Sequence, residues 1–198
     1  MSMKIAVVGA GNGGCAVAAD MAYRGLDVTL IKTSHAMHDE NFEYLLENNG
    51  KMTLIDFGEN GSMNPQDLEK VEKTGYISKV TRDLFEISNM DVIIVYIQTN
   101  YHEQLIQRMA DYISDGQIIL INPGYFSSAY VLKYCGDKDV TIVEAQSSFI
   151  DGRIIEPGKF KVGFRNVRNP LGVYPAKNLE YAQSKLNMLG FPFYYMDN

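Results

Sequence analysis

Short apolar runs alternate with amphipathic stretches along this chain. Residues 5–8 (IAVV) predict a first strand, and 13–24 predict a helix that starts among small residues and stops at Gly25. Residues 27–31 (DVTLI) predict a second strand. Within 38–50, Phe42, Leu45 and Leu46 share one face of a short helix ended by Gly50. A third strand is expected at 52–57 (MTLIDF), with a loop rich in Gly, Asn and Pro at 58–65. A short helix is expected over 81–90 with Thr81 as its N-cap. The run DVIIVYI at 91–97 is almost unbroken, as a parallel strand covered on both faces would be. An amphipathic helix at 101–113, ended near Asp115-Gly116, precedes a buried strand at 117–122. A helix at 126–135 and a strand at 140–145 follow.

Strands therefore alternate with helices through about residue 145, the order that builds an α/β doubly wound parallel sheet. Beyond 150 the character changes. KFKVGFRN and RNPLGVYP alternate on either side of Asn166 and predict a β-hairpin over 160–174. Leu179, Ala182, Leu186 and Leu189 recur at helical spacing up to a Gly190 stop. FPFYYMDN then ends the sequence as an aromatic strand leading onward. The expected organisation is one domain, 1–198, with a core of about 1–150 and a hairpin–helix extension of about 151–198.

The junction of first strand and first helix carries chemistry. It reads GAGNGG, with Gly9, Gly11, Asn12, Gly13 and Gly14 in the spacing of a dinucleotide-binding fingerprint. Gly9 permits the tight turn, Gly11 lets backbone approach a pyrophosphate, and Gly14 lets helix and strand pack closely. The helix amino terminus supplies free N–H groups and the positive end of its dipole. With this motif the fold is expected to be of Rossmann type. NAD sites usually end the second strand in Asp or Glu, which binds the ribose 2′-hydroxyl. Here Lys32, Thr33 and Ser34 stand at that place, a cation and two hydroxyls suited to a 2′-phosphate. This favours NADP, with NAD as second choice. FAD is disfavoured, because its sites usually want the same acidic residue.

Ligands of doubly wound sheets lie outside the carboxyl ends of the strands. Those ends carry Gln98-Thr99-Asn100, Asn122-Pro123-Gly124 and Glu144-Ala145-Gln146, the last followed by Ser147 and Ser148. Of these, Gln98, Thr99, Asn122, Pro123, Gly124 and Glu144 are candidates for the nicotinamide and substrate side, although Asn-Pro-Gly is also turn chemistry. His102 is the one candidate acid–base group, at the start of a helix where His more often caps or packs. His35, His38, Asp39 and Glu40 cluster after the second strand, but no closed set has zinc spacing, so no metal is expected.

With 198 residues, 46% of them hydrophobic, the chain is long enough for one good core. Its net charge is −6 and its Lys and Arg are scattered, which argues against a nucleic-acid partner. No run reaches the length of a membrane span, and the amino terminus lacks the marks of a signal peptide. Two cysteines, Cys15 and Cys135, fall short of a disulfide framework, so a cytoplasmic setting is expected. The apolar aromatic end makes a homo-oligomer an expectation.

GAGNGG at 9–14, VYIQTNYHEQL with His102, LINPG at 120–124 and VEAQSSFIDGR with Glu144 and Arg153 occur in that order. In these places the chain resembles the N-terminal domain of the octopine/nopaline (opine) dehydrogenase family. Gln98 stands where Pro is common in that family, and the segment between Glu144 and Arg153 also differs. The resemblance implies an NAD(P)-dependent dehydrogenase acting on CH–NH donors, which reduces the imine of an amino acid and a 2-oxo acid. It also implies a C-terminal helical catalytic domain, absent from this chain, that brings the main acid–base group. This stretch alone would then bind cofactor and be nearly inactive. Two other readings compete: an oxidoreductase like ketopantoate reductase or glycerol-3-phosphate dehydrogenase, and a nucleotide-sensing module without chemistry.

Overall fold

The computed structural model describes residues 2–35, 37–57 and 69–196. The loop expected at 58–65 lies outside the described residues. The chain opens with β1 (Lys4–Val8), α1 (Asn12–Tyr23), β2 (Asp27–Ile31) and α2 (Asp39–Glu47). Next come β3 (Lys51–Phe57), β4 (Lys70–Tyr76), β5 (Lys79–Thr81), β6 (Val92–Val95) and α3 (His102–Met109). They are followed by β7 (Ile118–Ile121), α4 (Ser128–Cys135), β8 (Thr141–Ala145), β9 (Ile150–Glu156) and β10 (Lys159–Arg165). β11 (Asn169–Tyr174), α5 (Leu179–Leu186) and β12 (Phe193–Tyr195) complete the described chain.

Eight strands form the main sheet in the order β12-β11-β8-β7-β6-β1-β2-β5. From β5 to β8 every pair is parallel, while β11 joins β8 antiparallel and β12 runs parallel to β11. Four residues each of β1, β6 and β7 are fully buried, which is why these strands read as unbroken apolar runs. Alternate residues feed two cores. Ile5, Val7, Leu30, Ile94 and Leu120 face α1, whereas Ala6, Val8, Ile93, Val95 and Ile121 face Leu105, Ile106 and Met109 of α3 and Val131 of α4. Strand order reverses between β1 and β6, so the glycine loop after β1 lies at the switch point.

A second sheet, β4-β3-β10-β9, covers the far side of α1. This explains the composition of that helix. Residues 14–22 are buried without interruption, so α1 has no solvent face and is built almost wholly of small or apolar residues. Gly152 of β9 comes so near that an added Cβ would stand 2.6 Å from the Ala16 Cβ. A cluster of charged side chains lies inside this sandwich. Asp20 of α1 receives Arg165 Nη2 (2.6 Å) and the guanidinium of Arg24. Asp56 of β3 receives Arg165 (2.6 Å) and Lys73 Nζ (2.7 Å). Burial alone would raise the Asp56 pKa, but hydrogen bonds from Arg165 and Lys73 outweigh it and hold the carboxyl below its ordinary range.

Three expectations change. The strand at 52–57 belongs to the second sheet, and the third parallel strand beside β2 is the short β5. Its alternating burial suits a sheet with one covered face, unlike the unbroken runs of the main sheet. The helix at 81–90 is a 3₁₀ turn over Leu84–Asn89, capped by Asp83 accepting from Phe85 N–H (2.9 Å), while Thr81 Oγ1 accepts from Asp83 N–H (3.0 Å). The runs flanking Asn166 do not pair with each other. β10 forms a hairpin with β9 across Pro157-Gly158, and β11 crosses to the edge of the main sheet. Alternation sets which side chains face a core, not which strand is the partner. Gly158, at a φ of 74°, supplies the left-handed residue of the β9–β10 turn.

Candidate functional site

Gly9 follows β1 with a φ of 129°, and an added Cβ would fall 2.2 Å from the Tyr96 carbonyl oxygen. Gly14 lies so close to the turn that its Cβ would stand 1.8 Å from Gly9 O. Gly13 faces the Tyr96 ring, which occupies the space a side chain would need. These three glycines pack helix, turn and strand together. Gly11 differs: an added Cβ would meet nothing within 4 Å. It is the N-cap of α1, no side chain caps the helix, and no acidic residue lies in the first turn. The loop thus offers open backbone and uncapped amides at the sheet's carboxyl edge, as a phosphate requires. Asn12 turns the other way, and its Oδ1 accepts from Ile154 N–H (2.9 Å), tying the loop to β9.

At the end of β2, Lys32 does not reach into solvent. It is buried, donates to Met37 O (2.6 Å) and pairs with Asp39 Oδ1 at 3.2 Å. Thr33 is half-buried and Ser34 exposed. Arg82, just past β5, was not expected at this site. It donates to Ser34 O (2.6 Å), pairs with Asp39 Oδ1 (3.0 Å) and lies 4.3 Å from the centre of the Phe42 ring. Hydrogen bonding from Arg82, reinforced by Lys32, holds the Asp39 carboxyl below its ordinary range. Position along the chain gave no hint of Arg82. The parallel pairing of β2 with β5, which sets Thr81 opposite Ile31, brings it there.

The opposite half of the carboxyl edge is built around Asn122-Pro123-Gly124. Asn122 is fully buried beside the Tyr96 hydroxyl, and its Nδ2 and Oδ1 make no hydrogen bond of good geometry among the described residues. The nearby Tyr96 hydroxyl donates instead to Ile150 O (2.9 Å). A buried amide so poorly partnered is costly to the fold. Gly124 admits Glu144, since an added Cβ would stand 2.6 Å from its side chain. The Glu144 carboxylate accepts from the amides of Phe126 (3.1 Å) and Ser128 (2.5 Å), where it caps α4. Gln98 and Thr99 are exposed at the end of β6. Arg153 lies on β9 and pairs with Asp151 (2.8 Å).

His102 is a strut rather than a group open to substrate. It is fully buried, its Nε2 lies 3.2 Å from Ile97 O and its Nδ1 2.7 Å from Ser127 Oγ. A carbonyl only accepts, so Nε2 carries the proton and Nδ1 accepts from the serine hydroxyl. Burial pushes the imidazole pKa down, against smaller upward pulls from Ile97 O and Glu144. Both nitrogens are thus committed to joining the end of β6 to the β7–α4 turn.

Among the described residues, no group of three or more His, Cys, Asp or Glu is placed to hold a metal ion, and no helix is long and apolar enough to cross a membrane. Cys15 and Cys135 are buried and unpaired. Burial pushes the Cys15 thiol up to about 12, despite its hydrogen bond from Asn41. Neither thiol should react with a maleimide at pH 7 until the protein is denatured, and mass spectrometry of native and denatured samples checks this.

Strand order, switch-point glycine loop and uncapped helix together define a Rossmann-type fold of the dehydrogenase kind. Residues 5–161 match the family described as ketopantoate reductase PanE/ApbA, and the chain belongs to that family. Over 166 residues it is 29% identical to an opine dehydrogenase of Arthrobacter sp. (strain 1C), covering 81% of this chain and 42% of that protein. An octopine dehydrogenase solved with NADH and L-arginine has a TM-score of 0.82 at 23% identity, covering 98% of this chain and 49% of that one. A PanE/ApbA family ketopantoate reductase from Ralstonia eutropha JMP134 has a TM-score of 0.69 at 16% identity, covering 99% of this chain and 57% of that one. The resemblance to opine dehydrogenases read from GAGNGG, VYIQTNYHEQL, LINPG and VEAQSSFIDGR is therefore borne out. The chain spans between 42% and 57% of the length of these relatives.

Proposed function

We propose that this chain is the cofactor-binding part of an NAD(P)H-dependent oxidoreductase of opine type, which reduces the imine of an amino acid and a 2-oxo acid. The observation that carries the reading is Gly11, half-buried but with free space where a Cβ would stand, at the uncapped start of α1. Gly9, Gly11, Gly13 and Gly14 would take the pyrophosphate, and Asn122 would meet a polar group on the nicotinamide side. A bound nicotinamide supplies a hydride. Glu144 and His102 act on the protein itself, by holding the β7–α4 turn in shape.

NADP(H) is the cofactor we favour, because Lys32 and Arg82 flank the end of β2 and no acid ends that strand. The acid–base group and the remaining substrate contacts are assigned to a C-terminal helical domain, as the length of the relatives supports. We place the protein in the cytoplasm, in keeping with two buried cysteines that do not pair.

Parallel titrations with NADPH and NADH, read by nicotinamide fluorescence, test this; the chain has no Trp to add background. Tighter NADPH is the expected result. Tighter NADH would discard the NADP choice and keep the dinucleotide. Binding of neither would sink the reading in favour of a module without chemistry. The PanE/ApbA family match supports a second reading, reduction of a keto acid without an amine. Turnover of 2-oxo acids with and without amino acids, measured with the C-terminal domain present, separates the two.

A further inference from the structure

We propose that Asp39 limits the preference for NADP(H) over NAD(H) by occupying, from within the protein, the cations that a 2′-phosphate would use. The proposal rests on the dinucleotide reading above. The glycine fingerprint puts the adenosine ribose near the end of β2. Two cations converge there from separate strands, Lys32 directly after β2 and Arg82 directly after β5. Both bind the same carboxylate oxygen, Asp39 Oδ1, at 3.2 and 3.0 Å. Asp39 stands in the first turn of α2, seven positions beyond Lys32 rather than at the strand end where an acid that selects NAD usually lies. Sequence position alone would therefore not assign it the role.

The surrounding charges make Asp39 the decisive group. The only other acid paired with Arg82 among the described residues is Glu43, at 3.5 Å and more than half exposed. Lys32 has a side-chain exposure of only 4%, with Met37 O as its other partner, so Asp39 is the one acid that its charge meets among the described residues. A 2′-phosphate would compete with Asp39 for charge-assisted bonds of the same kind, with more charge and more acceptor oxygens. A free ribose 2′-hydroxyl would instead accept a hydrogen bond from the cations or donate one to Asp39, leaving the triad intact. Asp39 thus weakens, without reversing, the preference for the phosphorylated cofactor that Lys32 and Arg82 give.

The test is Asp39→Asn, which keeps the shape of the side chain and removes its charge. NADPH and NADH are titrated against both proteins, with adenosine 2′,5′-bisphosphate and 5′-AMP as probes of the adenosine end alone. NADPH and the bisphosphate should bind roughly tenfold tighter to the variant, with NADH and AMP changed less than about twofold. Adding Arg82→Ala should abolish that gain. Equal shifts for both cofactors, or no gain for NADPH while both still bind, would overturn the role of Asp39. Failure of all four ligands with both proteins would instead strike the dinucleotide reading itself, and the proposal with it. Thermal melts confirm that the variants are folded.

Discussion

Replacing Gly11 with aspartate should abolish dinucleotide binding and leave the fold standing. The backbone there is extended, at a φ of −88°, which any residue adopts, and an added Cβ meets no neighbour. Aspartate is also a good N-cap, and α1 has no side-chain cap to lose, so stability should hold or rise by a few tenths of a kcal/mol. Its carboxylate would stand in the seat assigned to the pyrophosphate. Two like charges about 4 Å apart repel by roughly 4 kcal/mol at an effective dielectric of about 20. A loss of at least about 100-fold in NADPH affinity is therefore expected. Titration beside a thermal melt checks both halves. Retained binding would move the phosphate seat elsewhere, and a lowered melting point would contradict the helix-cap argument.

Arg165→Leu should produce the largest loss of stability. Its guanidinium spans Asp20 on α1 and Asp56 on β3, two carboxylates almost fully buried. Removing one member of a buried pair leaves charge uncompensated. Because Arg165 is one-third exposed and Arg24 and Lys73 remain, the low end of the usual range applies, about 3 kcal/mol. For a chain of this size that corresponds to a fall of about 10 °C in melting temperature. The pH dependence has a definite sign. The folded Asp56 pKa is depressed, so its contribution is complete above the unfolded value of about 3.9 and is lost as pH falls through the folded one. Wild type and variant should differ by a constant amount from neutrality down to about pH 5 and converge in stronger acid. Urea unfolding across that range measures it. An undiminished gap in strong acid would show that packing, not charge, carries the effect.

What could be read in advance was the local part. GAGNGG declares itself because turn, backbone approach and close packing each demand glycine within six positions, and Gly9, Gly11 and Gly14 fill those parts. The buried runs in β6 and β7 were equally plain, since a strand covered on both faces admits almost nothing polar. The second sheet was hidden because β4 (KVEKTGY) has one buried residue in seven and so carries almost no apolar pattern. Its partner β3 alternates in burial, but Asp56 on the covered face and Ile55 and Phe57 on the open one blur that pattern in the sequence. At the site, Lys32 and Asp39 were both noticed, yet their pairing depends on how the chain turns between β2 and α2. Arg82 depends on a strand register, and the strut at His102 on a serine from another turn. None of these is a property of a local stretch.

The parallel pairing of β3 with β10 has a kinetic consequence. It joins Thr53 to Lys159 and Ile55 to Lys161, so the sheet that roofs α1 closes only across a very long loop. Such non-local contacts form late in folding. The glycine loop leaves the ribosome well before β10, and the sheet over the helix behind it stays incomplete until β10 has been synthesised and docked. A nascent chain released before that point would have the whole fingerprint and no rigid place to present it.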